Sequence, residues 1–266
     1  GMTAVTEGVS RLTWAQGALT RESDTLVEET PVALVFNGVA HVVMMATPSD
    51  LEDLALGFSL SEGIIRAPAQ MLDCEVREQE QGITVEITIS AEPFHALKER
   101  RRHLTGRTGC GLCGVESLAQ AVPVPAPVEA ECVIGHRVLQ RALAELEGVQ
   151  SLRRRTGATH GVAWCSPAGT IALLREDVGR HNALDKVLGG LYRSGQPAEG
   201  FALLSSRASY EMVAKAANCN IPLLAAVSAP TALAVRHAQT CGITLVGFLQ
   251  RGRHVIYTHP RRVAEP

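Results

Sequence analysis

The sequence predicts an α/β protein made of a C-terminal three-layer α/β domain with a largely parallel sheet and a smaller N-terminal α+β domain. After residue 132, helical segments alternate with short, almost wholly apolar ones, an order typical of parallel strands covered on both faces. Before residue 105, the order strand-strand-helix occurs twice, as in an α+β domain. We therefore divide the chain into an N-terminal domain (1–105), a glycine-rich loop with a proline-rich connection (106–131) and a C-terminal domain (132–266).

Composition excludes several broad classes of protein. Of the 266 residues, 46% are hydrophobic, so the chain can bury a substantial core and wholesale disorder is excluded. The 25 basic and 27 acidic side chains nearly balance, which disfavours a nucleic-acid-binding function. No apolar run approaches the roughly 20 residues of a membrane span, and no signal peptide is evident. Seven cysteines, an odd number, favour a reducing compartment, so we expect a soluble cytoplasmic protein without nucleic-acid or membrane partners.

The elements of the N-terminal domain are predicted from turn and capping patterns. Asn37-Gly38 joins two apolar runs, and both residues tolerate the positive φ angles of a tight hairpin turn. Ser49 and Glu52 have the spacing of a capping box and predict a helix that ends near Gly63. The predicted strands are 32–36, 39–45, 74–78 and 83–89, and a second, basic helix is predicted at 95–104.

The C-terminal domain is predicted to begin with a helix at 134–146 and a hairpin with the turn Ser166–Gly169 between strands 161–165 and 170–174. Helices and apolar strands then alternate, as right-handed crossovers in a parallel sheet require. The remaining predicted elements are helix 181–192, strand 201–204, helix 209–219, strand 222–227, helix 231–240, strand 243–248 and an edge strand at 255–258.

The glycine-rich segment Gly106–Gly114, which contains Cys110 and Cys113, is the most informative part of the sequence. Its glycines fit the dinucleotide-binding fingerprint only literally, because the preceding residues 98–103 form a charged helix where that motif requires a strand. The same context disfavours a thioredoxin-like dithiol pair. Four glycines predict a flexible segment, and the arginines at 100–102 would lower the pKa of a thiol, so a nucleophilic cysteine that carries a chemical group is favoured.

A zinc site is a further interpretation of Cys110 and Cys113, but it would need two more ligands. The chain has no second Cys-x-x-Cys pair, and His254 and His259, five positions apart on a predicted strand, would face opposite sides. We therefore expect no metal ligands and no bound zinc.

Serines and arginines follow three consecutive strands of the predicted sheet. They lie in Ser205–Ser209, Ser228–Thr231 and Phe248–Arg253. Because the carboxyl ends of parallel strands meet at one edge, we expect a phosphate-binding surface there, with Arg207 and Arg253 as charged contacts. For Ser209 and Thr231 the simpler alternative is that they cap the helices that follow.

A run of ionisable residues, Glu176–Asn182, precedes one of the predicted helices. His181 in this run and His160 before it are candidate acid–base residues, although a structural role is the commoner outcome for a single histidine. The five cysteines outside the glycine-rich segment lie in apolar contexts and are expected to pack as small hydrophobic side chains.

Several segments together resemble the formate dehydrogenase accessory sulfurtransferase family, FdhD. They are Gly106–Glu116, Glu176–Lys186, Ser205–Met212, Gly247–Arg253 and Tyr257–Pro260. The similarity extends over most of the chain from about residue 20, and the acidic and serine-arginine segments are more specific than Cys-x-x-Cys alone. The family's second domain is similar in fold to cytidine deaminases, but this chain lacks the His-x-Glu motif of their zinc chemistry. The resemblance therefore implies the deaminase-like fold without zinc.

The resemblance implies a cytoplasmic, dimeric sulfur carrier that accepts persulfide sulfur from a cysteine desulfurase. It would pass this sulfur to the molybdenum of a bis(molybdopterin guanine dinucleotide) cofactor destined for formate dehydrogenase. By position in the matching loop, Cys110 would carry the persulfide, with Cys113 beside it as the second candidate catalytic cysteine.

The resemblance also implies which residues line the cofactor site. They are Phe248, Leu249, Gln250, Arg251, Gly252 and Arg253. We add Ser206, Arg207 and His181, which lie in the strand-end and acidic segments described above. A guanine nucleotide is expected to bind at this site as a surrogate for half of the cofactor.

Two functions of other classes stay open at this point: a cofactor-binding chaperone without catalysis, and a dithiol oxidoreductase. A carrier and a chaperone differ in one observable property. A Cys110→Ser substitution would abolish the function of a carrier while leaving its affinity for the cofactor intact.

Overall fold

The computed structural model describes residues 3–108, 122, 124, 126–150, 153, 157–195 and 197–264. In the N-terminal part, the elements are β1 (Thr6–Ala15), β2 (Ala18–Val27), β3 (Thr30–Phe36), β4 (Val39–Ala46), α1 (Leu51–Ser61), β5 (Met71–Gln79), β6 (Gly82–Ile89) and α2 (Ala91–Thr108). The elements that follow are α3 (His136–Val149), β7 (His160–Cys165), β8 (Ile171–Asp177), α4 (Arg180–Tyr192), β9 (Phe201–Leu204), α5 (Tyr210–Asn218), β10 (Leu223–Ala226), α6 (Ala232–Cys241), β11 (Thr244–Gln250) and β12 (Arg253–Ile256). Single turns of 3-10 helix occur at Pro68–Gln70 and Pro260–Arg262.

The N-terminal four-stranded sheet has the order β4-β3-β6-β5, with β3 and β6 parallel in the middle and antiparallel strands at both edges. Asn37 and Gly38 join β3 to β4 with φ angles of 49° and 83°, the conformation that a tight hairpin turn requires. The hairpin that these two residues predicted is therefore confirmed. The hairpin of β5 and β6 is confirmed as well, with strands that extend beyond the predicted bounds.

The first hairpin, β1 and β2, was not predicted from the sequence. Its two strands form a sheet of their own, and its large apolar side chains are exposed: Leu12 is 60%, Trp14 70% and Leu19 67% exposed. Because these apolar side chains are not buried against other elements, the alternation that identifies a half-buried strand is missing here.

The start of α1 differs from the prediction. Asp50, not Ser49, occupies the N-cap position, with a φ of 52°, and its side chain makes no capping hydrogen bond. The carboxylates of the first turn instead lie beside a cation: the Arg175 side chain contacts Asp53 at 2.9 Å and Asp50 at 3.6 Å. The predicted capping box is therefore wrong: Asp50 takes the N-cap position, and the Glu52 carboxylate lies 3.5 Å from Arg193.

The C-terminal sheet has six strands in the order β12-β11-β10-β9-β7-β8. The α/β class is confirmed, but only the pairings β9–β10 and β10–β11 are parallel, and the other three pairings are antiparallel. The expectation of a largely parallel sheet therefore holds for the centre alone. The physical reason is that the connections from β7 to β8 and from β11 to β12 are too short for the crossover that parallel strands need.

Three layers build the C-terminal part. On one face of the sheet, α3 buries Leu139, Leu143 and Leu146 against apolar side chains of the strands. On the other face, α4, α5 and α6 cover the sheet, and their core continues without a break into α1 and the four-stranded sheet. The two sheets are thus joined through packed helices, and the contact between α1 and α4 is the tightest of these.

Candidate functional site

The carboxyl ends of β8, β9, β10 and β11 and the amino ends of β7 and β12 meet at one edge of the six-stranded sheet. The backbone N–H of Ser205 donates to the carbonyl of Gly161 (2.9 Å), and the Gly161 N–H donates to Ser205 Oγ (2.8 Å). The N–H of Phe248 donates to the carbonyl of Ser228 (3.1 Å). The structure therefore brings together the three strand-end segments that the sequence placed at one edge.

Two of the predicted contacts follow β9. Ser206 is buried and its Oγ donates to the carbonyl of Arg207 (3.2 Å), so this hydroxyl fixes the turn. The side chain of Arg207 is exposed, and among the described residues no carboxylate lies within ion-pair distance of it. An unpaired guanidinium at a sheet edge is suited to a phosphate.

The turn between β11 and β12 carries the other predicted contacts. Phe248 is half-buried with a φ of 48°, and Gly252 has a φ of 75°, so the chain reverses sharply here. Gln140 on α3 holds the turn, because its Oε1 accepts the N–H of Gly252 (2.9 Å). Gln250 and Arg253 pair across the turn and are both exposed. No carboxylate in the described ranges pairs with the Arg253 guanidinium.

One residue of this turn differs from the prediction. The side chain of Leu249 is completely buried in the core under α3, so it packs there and does not line a binding surface. The irregular pairing between Gly247 and Gln250 explains this orientation, since a bulge breaks the alternation of side chains along β11. Arg251 is exposed and contacts Glu147 on α3 at 3.1 Å, which partly neutralises its charge.

His181 joins the starts of two helices. Its Nε2 lies 2.7 Å from Oε2 of Glu211, so the first turn of α4 contacts the first turn of α5. Burial lowers the pKa of His181, and the Glu211 carboxylate opposes that effect. The imidazole is therefore positioned beside the strand-end edge, where the sequence placed it.

Ser209 and Thr231, for which helix capping was the simpler alternative, behave differently. Thr231 caps α6, because its Oγ1 accepts the N–H of Ala234 (3.1 Å). Ser209 occupies the N-cap position of α5, but its side chain makes no capping hydrogen bond. The capping role is thus confirmed for Thr231 alone.

Most of the acidic segment is structural. Asp177 is completely buried, and its Oδ2 accepts the N–H of Gly179 (2.8 Å). Asn182 donates from Nδ2 to the carbonyl of Met45 (3.0 Å), which connects α4 to the end of β4. These contacts of the acidic segment therefore hold the start of α4 in place.

A second buried cluster lies where α1, α4 and α5 meet. Asp185 accepts hydrogen bonds from Ser61 Oγ (2.5 Å) and Lys215 Nζ (2.8 Å), and Lys215 also contacts Glu62 (2.8 Å). Burial raises the pKa of Asp185, and the carboxylates around Lys215 raise the pKa of that lysine. Burial and opposite charge thus keep this group of side chains together.

The predicted sulfur-carrying residues, Cys110 and Cys113, lie outside the described residues. The other five cysteines are free thiols, four of them buried and Cys74 half-buried. Burial raises the pKa of each, to about 11 for Cys74 and Cys132 and to about 12 for Cys165. Their packing as small hydrophobic side chains is confirmed.

Sequence reasoning did not select Arg180 as a candidate contact, and it left Ser209 with the simpler alternative of a helix cap. Both lie at this edge, Arg180 as the first residue of α4 and Ser209 just before α5. Each stands inside a segment that the sequence singled out, but only the sheet order shows that the two helices start side by side.

In the described parts of the chain, no three His, Cys, Asp or Glu side chains are grouped closely enough to hold a metal ion. No helix within the same ranges is both long enough and apolar enough to cross a membrane.

Comparisons with known proteins agree with this architecture. The model of the FdhD/NarQ family matches residues 27–264. A protein of Cupriavidus necator named sulfur carrier protein FdhD is 53% identical over 259 residues, which are 97% of this chain and 89% of that protein. Its namesake from Bordetella bronchiseptica is 51% identical over 91% of this chain and 88% of its own length. A crystal structure of a candidate formate dehydrogenase accessory protein from Desulfotalea psychrophila has the same fold, with a TM-score of 0.77 at 23% identity, and covers 98% of this chain and 100% of that one.

Proposed function

The chain belongs to the FdhD/NarQ family, and from this premise we propose that it carries sulfur as a persulfide on Cys110 and delivers it to a molybdenum cofactor. The donor is a cysteine desulfurase, and the acceptor is bis(molybdopterin guanine dinucleotide) destined for formate dehydrogenase. The carrier works in the cytoplasm as a homodimer. Cys113 is the second thiol of the same segment.

One observation supports the choice of thiol. All five cysteines in the described residues are at least half-buried and have a raised pKa, so each is almost wholly protonated at neutral pH. Sulfur transfer requires a thiolate. The carrying thiol is therefore sought in Cys110 and Cys113, and the family resemblance selects Cys110.

The first step is a thiol exchange. The Cys110 thiolate attacks the outer sulfur of the desulfurase persulfide, a new S–S bond forms on Cys110, and the old S–S bond breaks with the electron pair leaving on the desulfurase thiolate. The step is balanced without an external oxidant or reductant. In the second step the S–S bond on Cys110 would break and leave the Cys110 thiolate, and the released sulfur atom would become a sulfide ligand by taking two electrons from the reduced molybdenum of the acceptor cofactor.

The cofactor is a polyanion, and the sheet edge provides charges of the right sign for it. Arg207 and Arg253 lack carboxylate partners among the described residues; Arg207 follows β9 and Arg253 begins β12, and these two strands are three positions apart in the sheet. At about 4.8 Å per strand this separation is about 14 Å. Two arginines at that distance suit an elongated ligand with several phosphates.

Mass spectrometry tests the proposal directly. The protein is incubated with a cysteine desulfurase and cysteine without reductant, and the chain is expected to gain the mass of one or more sulfur atoms on the peptide that contains Cys110. Cys110→Ser is expected to lose this gain and still bind GDP, whereas Cys113→Ser keeps the gain. A persulfide on neither cysteine would leave the chaperone function, and a Cys110–Cys113 disulfide in its place would favour the dithiol oxidoreductase.

A further inference from the structure

A continuous series of hydrogen bonds joins α3 to the turn between β11 and β12. The Gly252 N–H donates to Gln140 Oε1 (2.9 Å), and Gln140 Nε2 lies 3.1 Å from His254 Nδ1. Nε2 of His254 in turn lies 2.8 Å from Nδ1 of His136, the first residue of α3. The side chains of all three are half-buried. Because Arg253 directly follows Gly252, these contacts hold the backbone that carries one of the expected charged contacts of the cofactor.

Each proton in this series has a fixed place. A backbone N–H can only donate, so the amide oxygen of Gln140 must face Gly252 and its NH2 group must face His254. A second contact agrees, because Gln140 Nε2 also donates to the carbonyl of Arg253 (3.4 Å). Nδ1 of His254 is therefore an acceptor, and the proton of this neutral imidazole is on Nε2. That N–H donates to Nδ1 of His136, whose own proton is then on its Nε2.

The two imidazole rings lie edge to edge. Their planes differ by 15° and their centroids are 5.1 Å apart. This separation equals the distance between the facing nitrogens plus about one ring radius on each side, so both nitrogens lie on the line that joins the centroids. The N–H of His254 therefore points at the lone pair of His136, which is the geometry of a well-formed hydrogen bond.

An added proton does not fit into this series. Protonation of His254 places an N–H on Nδ1 opposite the NH2 group of Gln140, and two donors then face each other. Rotation of the amide relieves that contact but turns the NH2 group toward the N–H of Gly252. Protonation of His136 at Nδ1 has the same result, because His254 must then move its own proton to the side that faces Gln140. Each route breaks at least one hydrogen bond between α3 and the turn.

The surroundings of His254 favour its neutral form. Burial lowers the pKa of His254, and the charge of His136 lowers it further. β11 has no ionisable side chain, and the other charged residue of β12 is Arg253. The Glu147 carboxylate, farther along α3, is paired with Arg251 at 3.1 Å. His254 is therefore neutral at pH 7 and takes up a proton below the ordinary value of about 6.5.

We propose that His136, Gln140 and His254 form a latch that positions the turn only while both imidazoles are neutral. Arg253 is then held where it meets its anionic ligand, and acidification releases it. This inference rests on the proposed function, which makes Arg253 a contact of the cofactor. Extra positive charge near an anion would by itself tighten binding at low pH, whereas release of the turn weakens it. The direction of the pH dependence therefore distinguishes positioning by the latch from a simple effect of charge.

NMR of protein labelled with nitrogen-15 in its histidines tests the latch without any ligand. The nitrogen shifts distinguish the two tautomers, and we expect His254 and His136 to carry their protons on Nε2 at neutral pH. Both should lose this arrangement together at a pH below about 6.5. His95, exposed on α2, is the internal control and should titrate independently of them. A proton on Nδ1 of His254 at neutral pH would overturn the latch.

Gln140→Glu reverses the polarity of the middle link. Its carboxylate can still accept the N–H of Gly252, and it can accept a second hydrogen bond from a proton on Nδ1 of His254. We expect the pKa of His254 to rise by about 1–3 units in this variant, and the turn to stay in place at low pH. Gln239→Glu, at an exposed position on α6, adds the same charge elsewhere and should leave the titration of His254 unchanged.

Binding of GDP-mannose connects the latch to the proposed site. Both phosphates of this probe are esterified, so its charge is constant between about pH 7.5 and 5.5. We expect this acidification to weaken binding to the wild-type protein about tenfold, and binding to Gln140→Glu by less than about twofold. Wild-type binding that tightens or stays constant on acidification would overturn the positioning role. Absence of binding at every pH would mean that the cofactor placement fails, and the tautomers seen by NMR would still decide whether the latch exists.

Discussion

The Nζ atom of Lys186 lies 2.7 Å from Oδ1 of Asp177, and both side chains are completely buried. Thr47, just after β4, completes the arrangement: its carbonyl accepts from Lys186 Nζ (2.9 Å), and its N–H donates to Asp177 Oδ1 (3.0 Å). Asp177 ends β8 and Lys186 lies in α4, so the ion pair joins the two elements on either side of Arg180 and His181. The hydrogen bonds of Thr47 to both side chains connect this ion pair to the end of β4 in the N-terminal sheet.

Lys186→Met should destabilise the protein by about 3–5 kcal/mol, because Asp177 would stay buried without a counter-charge. Urea unfolding followed by circular dichroism at pH 7 measures this change. Lys98→Met is the matched control, since Lys98 is exposed, and it should change the free energy of unfolding by less than about 1 kcal/mol. The double variant Asp177→Asn/Lys186→Met should recover part of the loss; if it is as unstable as the two single losses summed, the ion pair is not the cause.

The helix crossing between α1 and α4 depends on two glycines. A Cβ atom on Gly57 would collide with the backbone carbonyl of Asp185, and one on Gly189 would collide with the carbonyl of Asp53. Gly57→Ala should therefore cost at least about 1–3 kcal/mol, since neither backbone can move away easily. Gly148→Ala is the control in α3, where nothing lies within 4 Å, and it should stabilise by up to about 1 kcal/mol. Equal effects of the two substitutions in thermal unfolding would contradict the close contact.

Stability should fall as the pH is lowered from 7 to 5. His41 packs between Phe36 and Phe58, with ring centroids at 5.4 and 5.8 Å, and burial lowers its pKa, as do Arg101 and Arg100. In the unfolded chain the histidine takes up a proton near pH 6.5, whereas in the folded chain it stays neutral to a lower pH. Its contribution to stability is thus present above pH 6.5 and is lost as the pH falls.

His41→Gln should reduce this loss by up to about 1.4 kcal/mol per pH unit, the value for one proton. His95→Gln, at an exposed position on α2, is the control and should keep the wild-type dependence. Unfolding by urea at several pH values measures both. An unchanged slope for His41→Gln would show that this histidine is not held neutral.

Alkylation should distinguish the cysteines. Because the pKa of Cys74 and of Cys132 is about 11, roughly one in ten thousand of these thiols is ionised at pH 7. Burial also blocks the access of the alkylating reagent. Iodoacetamide added to the native, reduced protein should therefore modify only the peptide with Cys110 and Cys113. Peptide mass spectrometry reports the sites, and the same reaction in urea should modify all seven cysteines. Rapid modification of Cys74 in the native protein would contradict the argument that only Cys110 and Cys113 can supply a reactive thiolate.

The order of elements was predictable because local signals decide it. Asn37-Gly38 specifies its turn through the positive φ that these residues tolerate, and the strand Phe201–Leu204 was predicted with the bounds that it has in the structure. The convergence of the strand ends at one edge also followed from the sequence, since it depends only on alternating helices and strands. The resemblance to the FdhD family rested on sequence segments alone and is confirmed by the family match.

Other features depend on partners far away in the chain. Ser49 and Glu52 have the right spacing for a capping box, but Asp50 takes the N-cap position and the Glu52 carboxylate contacts Arg193, far along the chain. Leu249 was expected to face the cofactor because its segment does, yet a bulge next to it turns the side chain into the core. Neither outcome can be predicted from the local sequence pattern.

The sequence by itself determined the α/β class, the positions of most helices and strands, the family and the sheet edge at which the strand-end serines and arginines meet. Those properties follow from hydrophobic periodicity, turn residues and motifs, all of which act within a few residues. The tertiary structure alone decided that β7 inserts between β8 and β9, which places His160 at the edge where β9 ends, and that Asp177 and Lys186 form a buried ion pair. The physical reason is that strand order and burial of charge are settled by which surfaces pack together, and packing joins residues that the sequence keeps far apart.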